Sequence, residues 1–308
     1  MIRFGPSGNE RRFAEMGFKS TLDAPKYVAD NGLNAYEYSF GRGINIGDDK
    51  AAAIGNNASA LDVALSVHAP YYINFANPDD AMAEKSYNYV LASAQKCRVF
   101  GGKRIVFHPS TVGKLTRAEA VELTKKRIEI LAGLIRANGL DDMIFCPETM
   151  GKINQIGDTE EVTEFCKVAE FFIPTIDFGH LNARTQGSLR TEEDFDRIVT
   201  HLIDNLGFER ASMMHVHFSK IEYGKGGEVR HLTFADTVYG PEFLPLAKVI
   251  VKHKLSPVII CESDGTQCAD DTVVRGLFSN SIRPASSIWF ALSRRMTSGI
   301  LVWMGQPS

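Results

Sequence analysis

Apolar and β-branched residues gather in eight short runs, at 2–4, 33–38, 64–68, 104–108, 143–148, 173–177, 213–217 and 258–262. Longer stretches between them carry apolar residues at helical spacing. The clearest is 116–138, where Val121, Leu123, Ile128, Leu131, Leu134 and Ile135 stand among Lys, Arg and Glu. The stretch 158–170 opens with Asp-Thr-Glu-Glu, a helix start signal, and 191–206 and 242–253 behave similarly. Asn31-Gly32 and Asn138-Gly139 read as helix stops ahead of a strand.

Short buried strands alternating with helices imply repeated βα units and a parallel sheet. Eight such units predict a closed α/β barrel, the TIM (β/α)8 fold, over an open doubly wound sheet. The open sheet would call for a Gly-rich fingerprint after the first strand, and Gly5-Pro6-Ser7-Gly8 is not one. Barrels of this kind take about 250 residues. The 308 residues are therefore read as one catalytic barrel over 1–268 and an atypical C-terminal helix or tail over 269–308. The tail holds both tryptophans, Trp289 and Trp303, without a clean amphipathic stripe. An irregular last helix and an aberrant chain end both remain open for it.

Composition narrows the picture only slightly. The formal net charge of -3 argues against attachment to nucleic acid by general positive charge. It leaves open a site where metal ions meet phosphate. The N-terminus has no apolar signal segment, no run is long enough to span a membrane, and the five cysteines show no CxxC spacing. A reduced, cytoplasmic setting without a membrane partner is expected.

The chemistry lies in what ends the strands. Six of the apolar runs carry a ligand-type residue at or close to their ends: His68, His108, Glu148, Asp177, His215 and Glu262. His180 and His231 fall just beyond strand ends, and His217 shares a strand face with His215. Barrel active sites sit on this rim. Crowded carboxylates repel one another, and divalent cations resolve that conflict. Mixed imidazole and carboxylate donors suit Zn, Mn or Fe, and the absence of Cys suits a catalytic site. Eight ligands exceed one tetrahedral ion, so two to three are implied. His201 and His253 fall in predicted helices and are read as structural.

The motifs SVHAPYYIN (66–74), FHPS (107–110), PETMG (147–151), DFGHLNA (177–183), MHVHFSK (214–220), VRH (229–231) and ICES (260–263) resemble those of the endonuclease IV family of apurinic/apyrimidinic endonucleases. The likeness runs from about Ile2 to Gln267. It implies three zinc ions, with Mn2+ as the alternative metal. His68 and His108 would hold the first ion, and Glu148 would bridge the first and second. Asp177, His215 and Glu262 would complete the second, with His217 in reserve. His180 and His231 would serve the third. The family's remaining ligand, an Asp, is replaced here by Val229, with Glu228 beside it as a substitute. The implied activity is metal-assisted phosphodiester hydrolysis of double-stranded DNA on the 5′ side of abasic sites, by a monomer, with Glu148 as the catalytic carboxylate.

Arg42, Lys114, Lys152, Lys220, Lys225 and Arg230 fall in loops after strands and could hold phosphates. By the resemblance, Tyr71 and Tyr72 stand where residues enter the DNA at the abasic gap, and aromatic rings there could fill it. Two other readings stay open. One is a sugar or sugar-phosphate isomerase or epimerase with a single ion and paired Glu148 and Glu262. The other is a barrel weakened at Val229 that binds metal or nucleic acid without turnover.

Overall fold

The computed structural model describes residues 1–281. Eight parallel strands form the centre: β1 (Arg3–Pro6), β2 (Ala35–Ser39), β3 (Ala64–His68), β4 (Arg104–Phe107), β5 (Ile144–Pro147), β6 (Thr175–Asp177), β7 (His215–Phe218) and β8 (Val258–Cys261). Each falls within or overlaps a run expected from the sequence.

Two four-stranded sheets, in orders β2-β3-β4-β5 and β1-β8-β7-β6, make the two halves. Parallel bridges Ser7–Glu37 and Glu148–Thr175 join them at both seams. The cylinder is thus closed, and the fold is the expected TIM barrel. At one seam β1 and β2 approach closely: a Cβ on Gly5 would lie 1.7 Å from the Ala35 carbonyl oxygen. Only glycine fits there, so Gly5 is required by packing.

Helices cover the outside. Arg117–Ala137 begins with a capping box of Thr116 and Glu119, and Gly139 follows it in the left-handed region at φ 60°. Its Ile128, Leu131 and Ile135 are fully buried against the barrel. Thr159–Cys166 stops short of the expected 170. Phe171 and Phe172 turn inward there, with ring centroids 5.8 and 6.2 Å from Phe145. Burying two aromatic rings outweighs one more helical turn. The last described helix, Gln267–Ser281, packs Phe278 on Phe4 at 5.6 Å. The rest of the tail expectation, both tryptophans included, lies outside the described residues.

The main core lies between strands and helices, with Phe75, Phe107, Phe145 and Phe243 among its fully buried rings. Inside the barrel the apolar filling is small: Val106, Cys146 and Ile173, with Ile144 against them. Above it the interior turns polar. An antiparallel hairpin, Ile221–Gly224 with Gly227–His231, leans over the rim after β7. Among the described residues no helix is long and apolar enough to cross a membrane.

Candidate metal centre

Strand register decides which side chains meet at the rim. Asp177 pairs with His217, which pairs with Ile260, two residues below Glu262. His215 pairs with Thr175, one inward layer deeper. His217, not His215, therefore joins Glu148, Asp177 and Glu262 in one grouping whose ligand atoms lie within 4.8 Å of one another. His217 Nδ1 is 3.2 Å from Glu148 Oε1 and 3.4 Å from Glu262 Oε2. His215 is fully buried and faces Glu37 at 3.0 Å. Of the two histidines, the geometry brings the reserve residue His217 into this grouping and places His215 in a separate one with Glu37 and His217. Both histidines point inward because they are two apart on a strand.

His68, His108 and Glu148 form the second grouping. Glu148 Oε2 lies 3.0 Å from His68 Nε2 and 3.2 Å from His108 Nε2. Glu148 is thus shared by two groupings, as a bridging carboxylate would be.

The third grouping is His180, Glu228 and His231. His180 sits on the short helix Phe178–Arg184 that starts directly at the end of β6. Asp177 caps this helix, its Oδ1 accepting from the His180 amide at 2.7 Å. His180 Nε2 is 3.5 Å from Glu228 Oε2, and His231 Nε2 is 4.0 Å from Glu228 Oε1. The hairpin explains how Glu228 gets there. Tyr223 pairs with Glu228 and Glu222 with Arg230, so Val229 is the extra residue of a β-bulge. The slip turns Glu228 to the His231 side, while Val229 is 57% exposed.

The donor set fits divalent cations. His68 donates its Nδ1–H to the Ala69 carbonyl at 2.8 Å, and His180 donates its Nδ1–H to the Thr149 carbonyl at 2.9 Å. In the neutral ring each Nε2 then carries only a lone pair, yet each faces a carboxylate. A cation between them removes that repulsion. Asp177 Oδ2 is buried without a hydrogen-bond partner among the described residues, as a metal-directed oxygen would be.

Protons compete for the same positions. Burial disfavours charge on His68, but Glu148 beside it prevails and raises the ring to about 9. Burial also opposes charge on Glu262, and His217 outweighs it, leaving that carboxyl at about 2. Asp177 is raised, chiefly by burial and then by Glu262 and Glu148, with His180 partly offsetting. A cluster that draws in protons this strongly is one that metal ions stabilise by replacing them.

The other expected site residues divide. Tyr71 and Tyr72 stand half-exposed at the rim, rings 4.9 Å apart, and Arg42 Nε donates to the Tyr71 hydroxyl at 2.9 Å. Tyr71 and Lys152 line a cleft of about 410 Å³ together with His68, His108, His180 and Glu228. Arg230 points outward, bonded to Glu222 at 2.7 Å. Lys220 is buried, donating to the Asp236 carbonyl at 2.7 Å and pairing with Glu242 at 2.6 Å. In these contacts it ties the loop to the barrel and does not project into the cleft that Lys152 lines. His253 pairs with Asp196 at 2.6 Å, away from the rim. Sequence reasoning passed over Glu37, a carboxylate within the otherwise apolar β2 and fully buried beside His215 and His217. A charge at an inward position of a buried strand was the signal available.

Four His and carboxylate groupings thus adjoin in the closed barrel, the fourth being Glu37 with His215 and His217, and each has donor types that could hold a metal ion. Residues 25–276 match the family described as xylose isomerase-like TIM barrel, and the chain belongs to it. An uncharacterized protein of Methanocaldococcus jannaschii, MJ0133, is 32% identical over 263 residues, 85% of this chain and 92% of that one. A probable endonuclease 4 of Mycoplasma pneumoniae is 30% identical over 201 residues, 64% of this chain and 66% of that one. Among solved structures, endonuclease IV from Thermus thermophilus superposes with TM-score 0.66 at 17% identity, covering 90% of this chain and 99% of that one. A D-tagatose 3-epimerase-like protein superposes with TM-score 0.64 at 14% identity, covering 91% and 97%. At such identities the structural likeness speaks for the fold alone.

Proposed function

We propose that this chain is a zinc-dependent phosphodiesterase that hydrolyses the backbone of double-stranded DNA on the 5′ side of abasic sites, as in base excision repair. The observation that carries this reading is the linkage of three ligand groupings through Glu148 and His180. Phosphodiester cleavage uses adjoining ions that hold both the attacking and the leaving oxygen. Zinc matches the imidazole-rich donors, with Mn2+ the alternative.

Bound ions would polarise a phosphoryl oxygen and make a bound water acidic. The chain's own residues do the rest. Glu148, closed off from solvent and facing His68, His108, His180 and His217, fixes the spacing between neighbouring positions. Ser219, 2.8 Å from His231 Nδ1, and Thr149, accepting from His180, hold the outer rings in orientation. The Tyr71–Tyr72 pair offers an aromatic surface to the gap left by a missing base. Lys152, exposed beside the cleft, supplies positive charge toward phosphate.

A sugar isomerase or epimerase reading would leave Glu148 and Glu262 free as acid and base around one ion. Both face imidazoles here, and the His180–Glu228–His231 grouping would have no task. The test is a duplex oligonucleotide carrying one tetrahydrofuran abasic analogue, with metal analysis of the same preparation. Nicking 5′ to the analogue, two to three zinc ions per chain, and loss of cleavage in Glu148→Gln support the reading. One ion per chain with no cleavage at any metal loading overturns it in favour of the isomerase class.

A further inference from the structure

We propose that Glu37 is a positioning residue that holds His217 in the tautomer and orientation needed to ligate metal. The inference rests on the reading that His217, Glu148, Asp177 and Glu262 hold an ion.

Glu37 lies at the middle of β2, fully buried, in register with Ser66 on β3. Its Oε2 accepts from Ser66 Oγ at 2.9 Å and lies 3.0 Å from His215 Nε2. That leaves Oε1, 3.0 Å from His217 Nε2. The opposite nitrogen of His217, Nδ1, faces Glu148 and Glu262 at 3.2 and 3.4 Å. The imidazole ring therefore stands between Glu37 and the rim carboxylates. Glu37 cannot share the ion that Nδ1 faces, and it is not needed there as a fourth carboxylate.

Glu37 Oε1 and His217 Nε2 are both buried with no other hydrogen-bond partner among the described residues, and the role open to Glu37 is to accept the Nε2 proton. A ring that donates from Nε2 has a bare lone pair at Nδ1, the form a metal requires. A carboxylate acceptor also makes that lone pair more basic than a carbonyl would. The neighbouring histidines achieve the same end with weaker acceptors: His68 and His180 give their second nitrogen to backbone carbonyls. His217 is fully buried, and at its second nitrogen stands the Glu37 side chain from β2. Ser66 anchors one oxygen of Glu37 by a hydrogen bond, which leaves the other turned to His217.

The test uses equilibrium zinc affinity by chelator competition on the full chain, in a double-mutant cycle of Glu37→Gln with His217→Gln. Glu37→Gln is expected to weaken the affected site by about 10–100-fold. In the His217→Gln background it is expected to add little, because Glu37 acts through that ring. Long-range 15N NMR of the zinc-loaded wild type should show His217 protonated at Nε2. Equal losses in both backgrounds, unchanged affinity in Glu37→Gln, or a zinc-loaded His217 protonated at Nδ1 would each overturn the proposal. If Glu37→Gln does not fold, Ser66→Ala takes its place in the same cycle, with a several-fold loss expected and no loss overturning the idea. Wild-type protein that binds no metal would overturn the underlying reading together with this one. Wild-type binding with an indifferent Glu37 overturns this one alone.

Discussion

Replacing Glu228 by Ala tests whether the bulged hairpin supplies the third ligand set. In a tetrahedral zinc site with bonds of about 2.1 Å, neighbouring donor atoms lie about 3.4 Å apart. Glu228 Oε2 stands 3.5 Å from His180 Nε2, already at that spacing. His231 Nε2 at 4.0 Å from Oε1 needs a closure of about half an ångström, within reach of a partly exposed side chain. Structural zinc sites yield about 10–16 kcal/mol from four ligands, so one ligand is worth about 3 kcal/mol, a hundredfold or more in affinity. Glu228→Ala should therefore weaken the loosest ion by about a hundredfold and leave the other two in place. Val229→Asp should change affinity little, because residue 229 points away from His231. The assay is chelator competition with a metal count at each step, and thermal melts to confirm that both variants fold. Loss of no ion in Glu228→Ala, together with tighter binding in Val229→Asp, would refute the placement.

Three further outcomes are expected. Tyr72→Ala should weaken binding to an abasic duplex by about 1–3 kcal/mol, five- to more than a hundredfold by fluorescence anisotropy, with an unchanged melting temperature because the ring is half-exposed; a destabilised protein with intact DNA affinity would count against it. Lys220→Met should lower stability by about 2 kcal/mol in urea titration, through loss of its buried charged hydrogen bonds, and leave the salt dependence of DNA binding alone; a reduced salt slope at full stability would restore its phosphate role. Burial holds the Asp271 carboxyl well above the ordinary range, Arg275 offsetting only in part. A raised folded value means that its contribution to stability is present at acid pH, below about 3.9, and is lost as pH rises through the folded value. Asp271→Asn should accordingly gain melting temperature over wild type at pH 8, with the gain shrinking toward pH 4; a difference that does not vary with pH would sink this account.

The barrel was legible because parallel strands buried on both faces read as apolar runs, and helix signals such as the start at Asp158 and the stop at Asn138-Gly139 mark what lies between. The ligand rim was legible for a related reason. A polar residue closing an apolar strand has few places to go except the barrel mouth, which picks out His68, Glu148, Asp177 and Glu262. The choice between His215 and His217 was not legible. Both face inward, and only registration against Asp177 and Ile260 separates the rim layer from the one below. Glu228 was legible only as the acidic neighbour of Val229; the bulge that turns it toward His180 and His231 breaks the alternation a hairpin otherwise displays, so its placement was not. His180 was placed beyond a strand end but not on a helix, because Asp177 serves as strand end and helix cap at once. Glu37 was missed because a lone carboxylate in an apolar strand declares itself only through partners contributed by a distant strand.

The bulge at Val229 has a bearing on how relatives of this chain are compared. A metal site is conserved in space, whereas an alignment keeps track of columns. Here one residue looped out of a strand leaves the carboxylate of the preceding column, Glu228, within 4.0 Å of both His180 and His231. A column-by-column reading would class this chain as having lost a ligand. Relatives that differ at that column can be alike in coordination, and the pairing of the opposite strand, not the letter at the aligned position, is what distinguishes a vacated site from a displaced one.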